Sequence, residues 1–427
     1  MDNIEKNKEI SCCFCGRESG EVKKIIAKLD HTINNDGEKF HIAICDLCIE
    51  KCNHLVKKET VVKTTESTEL NPYAIKIYLD EYLEGQEEAK IAFAVAIYNH
   101  YHRIKQNKKD DGNLLEKSNI MLAGPSGCGK TLMIKVIAKL LNVPFVNIDA
   151  SVITASGYVG NDVESIFVKL LQASDYNVEM AQQGIIYLDE IDKIAKKDIT
   201  GNSKDISGEC VQQELLTLLE GGNISVPLNN KRSLQPDTVS IDTSNILFIC
   251  GGAFPGLNTI IQKRIKGSNY SLESKVMDIN GDKKKENYEI LKYVSNEDFE
   301  KFGFIREFIN RFPVVITMKE LTSEEMFNLM KYKKNSFIKQ YQKIFENSEI
   351  TLEFTDDALE FIIKFAMDQK GGVRAIKRIL ETILKDDMYN YFSNKEKDTL
   401  IVDKAMVELK LSDYIKLLNK KNISYKM

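Results

Sequence analysis

Gly124-Pro125-Ser126-Gly127-Cys128-Gly129-Lys130-Thr131 fits the pattern G-x-x-x-x-G-K-[ST], a glycine-rich turn whose backbone N–H groups wrap around nucleotide phosphates. The run Asn119-Ile120-Met121-Leu122-Ala123 before it reads as a short buried strand. Met133, Val136, Ile137, Leu140 and Leu141 after it recur at the spacing of one helix face. Strand, loop and helix thus arrive in the order that phosphate binding needs, with the helix N-terminus facing the anion. Lys130 is expected against the β- and γ-phosphates, the Thr131 hydroxyl on Mg²⁺, and Leu132 at the end of the cradle. The chain is expected to use ATP or GTP.

A second signal lies downstream. Gly184-Ile185-Ile186-Tyr187-Leu188-Asp189-Glu190 is an apolar strand ending in two adjacent carboxylates. After a phosphate loop, such a pair supplies a metal-orienting acid and a water-activating one. Asp189 is assigned to the magnesium shell and Glu190 to the attacking water. Phe145-Val146-Asn147-Ile148-Asp149 and Ile246-Leu247-Phe248-Ile249-Cys250 read as further strands, and Val163, Ile166, Phe167, Leu170 and Leu171 as one helix face. Strands alternating with helices predict a parallel sheet covered on both faces, with nucleotide at the carboxyl ends of its strands.

That α/β domain is drawn from residue 71 to 317. From 318 to 415 the pattern becomes mostly helical: Ser323 is expected to cap a helix carrying Met326, Leu329 and Met330. Leu359, Ile362, Ile363, Ala366 and Met367 form a second stripe, stopped by Gly371-Gly372 before a third through Ile376, Ile379, Leu380, Ile383 and Leu384. Residues 416–427 are left as a tail.

The nine cysteines are unevenly spread, six of them within the first 52 residues. Cys12-Cys13-Phe14-Cys15 and Cys45-Asp46-Leu47-Cys48 have the form of paired C-x-x-C grips. In a reducing compartment such pairs favour a Cys₄ zinc site over disulfides. The two-residue spacing to Cys15 selects Cys12 over Cys13, so Cys12, Cys15, Cys45 and Cys48 are the expected ligands and Cys52 a spare. A domain of residues 1–58 is too small to bury much apolar surface, and zinc would supply its stability. Residues 59–70, rich in Lys, Glu, Thr and Ser, read as a flexible linker.

The chain has 427 residues, enough for two or three domains, and its formal net charge of −4 gives no electrostatic argument for nucleic acid. No apolar run reaches the length of a membrane span, and the first residues lack the apolar core of a signal peptide, which points to the cytoplasm or an organelle interior. Neither H-E-x-x-H nor G-x-S-x-G occurs, so no peptidase activity of its own is expected.

The ordered set of motifs resembles the ClpX family of AAA+ protein unfoldases. It comprises the Cys₄ segment, Tyr98-Asn99-His100-Tyr101, the phosphate loop, Gly157-Tyr158-Val159-Gly160, Leu188 to Lys193, Ser207-Gly208-Glu209, Val211-Gln212-Gln213 and Phe248 to Phe254. The resemblance implies an AAA+ P-loop ATPase domain, a small helical domain and an N-terminal zinc-binding domain, assembled as a homo-hexamer that pulls unfolded or tagged proteins through its pore. It further implies ATP, Mg²⁺ and Zn²⁺ as cofactors, adaptor proteins on the zinc domain and a ClpP-like peptidase as partner. Tyr158 and Val159 match the substrate-gripping pore loop, an aromatic and an aliphatic side chain between flexible glycines. Residues 197–208 resemble a second pore loop. Arg311 matches the arginine finger that reaches a neighbour's γ-phosphate, and Arg374 the sensor arginine of the small domain.

Three segments depart from the family. Glu84 stands where an aliphatic residue flanks the adenine ring. Lys231-Arg232-Ser233 lacks the histidine of the loop at the pore entrance. Gly267-Ser268-Asn269-Tyr270-Ser271-Leu272-Glu273 replaces the Ile-Gly-Phe loop that docks on the peptidase. A remodelling ATPase without a peptidase partner is the alternative these departures raise. A nucleic-acid remodeller is a further one, and the slightly acidic charge weighs against it.

Overall fold

The computed structural model describes residues 11–18, 20, 22–27, 32–33, 39–40, 43–49, 52, 70–107, 116–153, 164–196, 206–227, 238–268, 283–369, 372–394 and 399–412. The chain divides into two compact units, Met1–Leu70 and Asn71–Met427.

In the first unit, β1 (Ile25–Ala27) pairs antiparallel with β4 (Ala43–Cys45), and β2 (Thr32–Ile33) with β3 (Lys39–Phe40). Its apolar cluster is small: Cys12, Cys45 and Cys48 are buried, with Val22, Ile25 and Ile44 partly buried against them.

The second unit is built on a five-stranded, wholly parallel sheet. Its strands are β5 (Ile120–Ala123), β6 (Phe145–Asp149), β7 (Ile185–Asp189), β10 (Leu247–Gly252) and β11 (Val314–Thr317), in the order β11-β5-β10-β7-β6. β5 and β10 are buried along their whole length, as continuous apolar runs in a sheet covered on both faces must be. The helix Lys130–Leu141 returns from β5 and buries Met133, Ile134, Val136 and Ile137. The helix Ser165–Ala173 buries Ile166, Phe167, Leu170 and Leu171, while Val163 lies outside the described residues. A hairpin absent from the sequence reading pairs β8 (Asn223–Pro227) with β9 (Thr238–Asp242).

A separate apolar cluster serves the region after Leu321. The helices Ser323–Lys331, Phe337–Glu346, Asp356–Asp368 and Gly372–Asn394 pack with a parallel pair, β12 (Thr351–Phe354) and β13 (Thr399–Val402). The N-cap of the first of these is Thr322 and not Ser323. The Thr322 hydroxyl accepts from the Glu325 N–H at 3.2 Å and the Glu325 carboxylate accepts from the Thr322 N–H at 2.9 Å, a reciprocal capping box that Ser323, one residue inside, cannot form.

Polar contacts cross the seam between the sheet side and the helical side. Lys333 Nζ meets Glu84 at 2.6 Å, Lys334 Nζ meets Glu81 at 2.7 Å, and Gln86 Nε2 donates to Lys319 O at 2.7 Å.

On the long helix Glu87–Asn107, His100 is buried with Nε2 3.1 Å from Asn245 O. Burial first, then the charges of Arg103 and Lys117, push the ring down to about 3, so it is neutral in the folded chain. The unfolded ring takes up a proton near 6.5, so stability is complete above that pH and falls as pH drops towards 3. Lys117, lowered to about 7 by burial, is mostly protonated in both states over that window and adds a shallower loss of stability that begins above it. The urea midpoint should therefore decline below pH 6.5 with a slope on the order of 1 kcal/mol per pH unit, and His100→Gln should flatten that slope. An unchanged slope in the variant would assign the acid sensitivity elsewhere.

Candidate nucleotide site and cysteine centre

The phosphate loop connects β5 to the helix Lys130–Leu141. Gly127 and Gly129 hold φ of 82° and 105°, values that side-chain-bearing residues avoid, and these let the loop curl back beneath the helix. No side chain caps that helix at Gly129, so its first N–H groups point out of the loop as donors suited to an anion. Lys130 is buried, its ammonium donating to Gly124 O at 2.6 Å and Pro125 O at 2.9 Å, at the mouth of the loop.

β7 delivers the acids. Asp189 is its last residue, and its carboxylate accepts from Tyr187 Oη at 2.9 Å, from the Glu190 N–H at 2.9 Å and from Thr131 Oγ1 at 3.3 Å. Glu190 is exposed and sits in the left-handed region, φ 55°. For a residue with a Cβ this costs on the order of 1 kcal/mol, and it turns the chain sharply so that two consecutive carboxylates project at one site.

Lys130, Thr131, Asp189 and Glu190 line one cavity of 590 Å³ together with Leu83, Glu84, Asp192, Lys193, Gly252, Ala253 and Pro255 from the sheet side and Leu321, Leu329, Phe337, Val373, Arg374 and Lys377 from the helical side, while Gly124, Pro125 and Tyr187 stand behind the lining. Its floor is the phosphate loop from Ser126 to Leu132. Apolar groups at one end suit a flat base, and Lys130, Lys193, Arg374 and Lys377 suit a polyphosphate. Glu84 is held at the rim, its carboxylate accepting from Asn328 Nδ2 at 3.2 Å as well as from Lys333. The Thr131 hydroxyl and Asp189 carboxylate, 3.3 Å apart, fit two corners of an oxygen octahedron, whose edge is about 3 Å for magnesium.

The cavity thus brings together Lys130, Thr131, Asp189, Glu190 and Arg374. Arg311 is not among its lining residues. Its carbonyl accepts from Asn119 Nδ2 at 3.0 Å, at the start of β5, and its guanidinium ion-pairs with Glu220. A four-residue strand rising 3.3 Å per residue puts Arg311 about 13 Å from the phosphate loop of its own chain. Tyr158, Val159 and the segment 231–233 lie outside the described residues, as do residues 197–205 of the second pore-loop stretch and 269–273 of the docking-loop segment. Tyr187 escaped the sequence reading because an aromatic within an apolar strand looks like core; its hydroxyl reaching Asp189 is legible only in three dimensions.

In the N-terminal unit the sulfurs of Cys12, Cys15, Cys45 and Cys48 all lie within 4.8 Å of one another, with Cys15 Sγ and Cys45 Sγ at 3.7 Å. Four thiolates around zinc at 2.3 Å stand about 3.8 Å apart, so the set fits a tetrahedral site. Burial of the Cys12 sulfur opposes its ionisation, but N–H groups of Cys45, Phe14 and Cys15 prevail and hold it below the usual thiol range, while burial and the neighbouring sulfurs push Cys48 up. Cys13 is turned away, its sulfur accepting from the Ala43 N–H at 3.3 Å.

No helix among the described residues is long and apolar enough to cross a membrane. Residues 115–315 match the AAA domain (Cdc48 subfamily) family, and residues 321–402 match the C-terminal, D2-small domain of ClpB protein. The chain is 39% identical to the ATP-dependent Clp protease ATP-binding subunit ClpX of Porphyromonas gingivalis, over 96% of this chain and 98% of that protein. It is 40% identical to the Treponema denticola protein of the same name, over 89% and 92%, and 40% identical to that of Borrelia duttonii, over 95% and 93%. With phosphate loop, paired acids, helical lobe and four-cysteine centre all present in one chain of matching length, the protein belongs to the ClpX family of AAA+ ATPases.

Proposed function

We propose that the chain is an ATP-driven protein unfoldase, working in the cytoplasm as a homo-hexameric ring that threads polypeptides through its centre. The observation that carries the reading is the single cavity joining Lys130, Thr131, Asp189, Glu190 and Arg374, in a chain that matches ClpX relatives almost end to end. Lys130 and the loop N–H groups hold the triphosphate, and Arg374 stabilises the charge that develops on it. Magnesium, when bound, offsets charge on the β- and γ-oxygens, and Thr131 and Asp189 are the residues that would hold it. Glu190 orients the attacking water and accepts its proton.

Arg311, remote from its own cavity, serves the neighbouring subunit. Tyr158 and Val159 grip the substrate. Zinc on Cys12, Cys15, Cys45 and Cys48 would fold the N-terminal module, a platform for adaptors. The relatives are named as subunits of Clp protease, and we extend a ClpP-like partnership to this chain, although residues 267–273 do not spell the family's docking tripeptide.

The test of traction is Tyr158→Ala in the full chain. ATP hydrolysis should persist within about threefold while unfolding of a tagged fluorescent protein drops at least about tenfold, because grip is lost and the phosphate site is not. Unchanged unfolding would remove the pore-loop assignment. Mixing the intact protein with a ClpP ring and ATP then asks about docking: co-elution and degradation support it, and unfolding without either supports a stand-alone remodeller.

A further inference from the structure

Gln212 is wholly buried, and its amide joins three separate segments. Nε2 donates to Ile194 O at 2.9 Å and to Gly303 O at 3.4 Å, and Oε1 accepts from the Ile305 N–H at 2.8 Å. Ile194 ends the short turn Ile191–Ile194 that begins directly after Glu190. Gly303 and Ile305 lead into the five-residue helix Arg306–Asn310, which hands the chain to Arg311. The helix bearing Gln212, Ile206–Glu220, ends at Glu220, whose carboxylate ion-pairs with the Arg311 guanidinium. One helix therefore holds both the start of the Arg311 segment and its charged tip, and through the same amide it holds the backbone that follows the catalytic acids. A second strut, the Lys196 N–H on Gly303 O at 2.9 Å, runs parallel to it.

An apolar side chain of equal volume would fill the space but would strand the Ile305 N–H and weaken the tie to Ile194. We propose that Gln212 is a positioning residue linking the Asp189–Glu190 end of a subunit's own cavity to the Arg311 that subunit presents to its neighbour. Changes at residues 190–196 during hydrolysis are carried by the amide to residues 303–305, and Arg311 moves with them. This inference rests on the finger reading of Arg311 given above.

The experiment is complementation between full-length subunits co-expressed in equal amounts. Gln212→Met keeps volume and loses both hydrogen-bonding roles; Gln212→Glu keeps the acceptor and loses the donor. Each alone should lower kcat roughly 10- to 100-fold with KM for ATP little changed, as expected of a displaced reacting group. Mixed with Glu190→Gln subunits, which cannot hydrolyse ATP but carry an intact Arg311, the Gln212 variants should recover activity well above either parent. The Gln212 subunit keeps Lys130, Thr131, Asp189 and Glu190 in its own cavity, which is now served by a correctly placed neighbour. Arg311→Ala mixed with Glu190→Gln is the control.

Recovery with Arg311→Ala but not with the Gln212 variants overturns this proposal alone, since Gln212 would then act on its own cavity or only on folding. No recovery with Arg311→Ala overturns the finger reading and this inference with it. Hydrogen exchange on the unsubstituted protein gives a reading independent of variant folding. The Ile305 amide should exchange at different rates with ADP and with a non-hydrolysable ATP analogue, and equal rates overturn the link.

Discussion

Glu190→Gln stops ATP turnover while nucleotide binding survives. In the proposed mechanism the phosphate cradle consists of loop N–H groups and Lys130, and Thr131 with Asp189 would face the metal; none of these depends on the Glu190 side chain. Only its backbone N–H supports Asp189, and Gln retains that N–H and the same tolerance of the left-handed turn. What disappears is the carboxylate that takes the water proton. A positioned general base contributes roughly 10²- to 10⁴-fold, so kcat should fall by that order while the dissociation constant for ATP stays within about threefold. Steady-state turnover set beside calorimetric titration with ATP separates the two quantities. Loss of ATP affinity in step with kcat would return Glu190 to the binding machinery.

Removing zinc has the other large expected effect, confined to the N-terminal unit. Among its described residues that unit buries Ala43 and three cysteines and leans three half-buried aliphatic residues on the cysteines, far too little hydrocarbon to offset chain entropy. Four gathered thiols would instead repel one another as they ionise. Zinc binding in comparable Cys-ligated modules contributes about 10–16 kcal/mol, so without the metal the unit should unfold. A chelator that strips zinc, or Cys45→Ser, should collapse the amide NMR dispersion of residues 11–52. ATP hydrolysis by the second unit should stay within about twofold, because its core shares no residue with the first. Retained dispersion after metal loss would contradict the structural role given to zinc.

Much of the fold was readable from the chain because its central strands are short, fully apolar and followed by amphipathic helices. β6 spans the residues its pattern predicts, and β5, β7 and β10 differ from prediction only at their ends. Burial on both faces leaves a sequence little choice there. β8 and β9 stayed hidden because each offers only two alternating apolar residues, Ile224 with Val226 and Val239 with Ile241, too short a period-two pattern to stand out from a loop. β12 and β13 were missed for a different reason: each is only four residues long, and they pair across the intervening helices.

The candidate site divides in the same way. Lys130, Thr131, Asp189 and Glu190 fall in compact motifs whose spacing encodes their chemistry. Leu321, Leu329, Phe337 and Val373, which close the cavity from the helical side, belong to ordinary helical stripes or their flanks, and only the tertiary fold brings them to the nucleotide end of the sheet. The Gln212 bridge was hidden for the same reason, since only the tertiary fold brings together the segments that it joins.

Among the described residues, the apolar cluster around the sheet and the one of the helical lobe are separate, and ion pairs at Glu81 and Glu84 and the Gln86 amide lie between the lobes. A joint of this kind has compliance that a continuous hydrocarbon layer would deny it. Charge pairs near water can lengthen, swap partners or be screened at little cost, so the lobes can swing through a range of angles without exposing either core. On the proposed function, a nucleotide held between the lobes would set that angle by the number of its phosphates, as the load sets a lever.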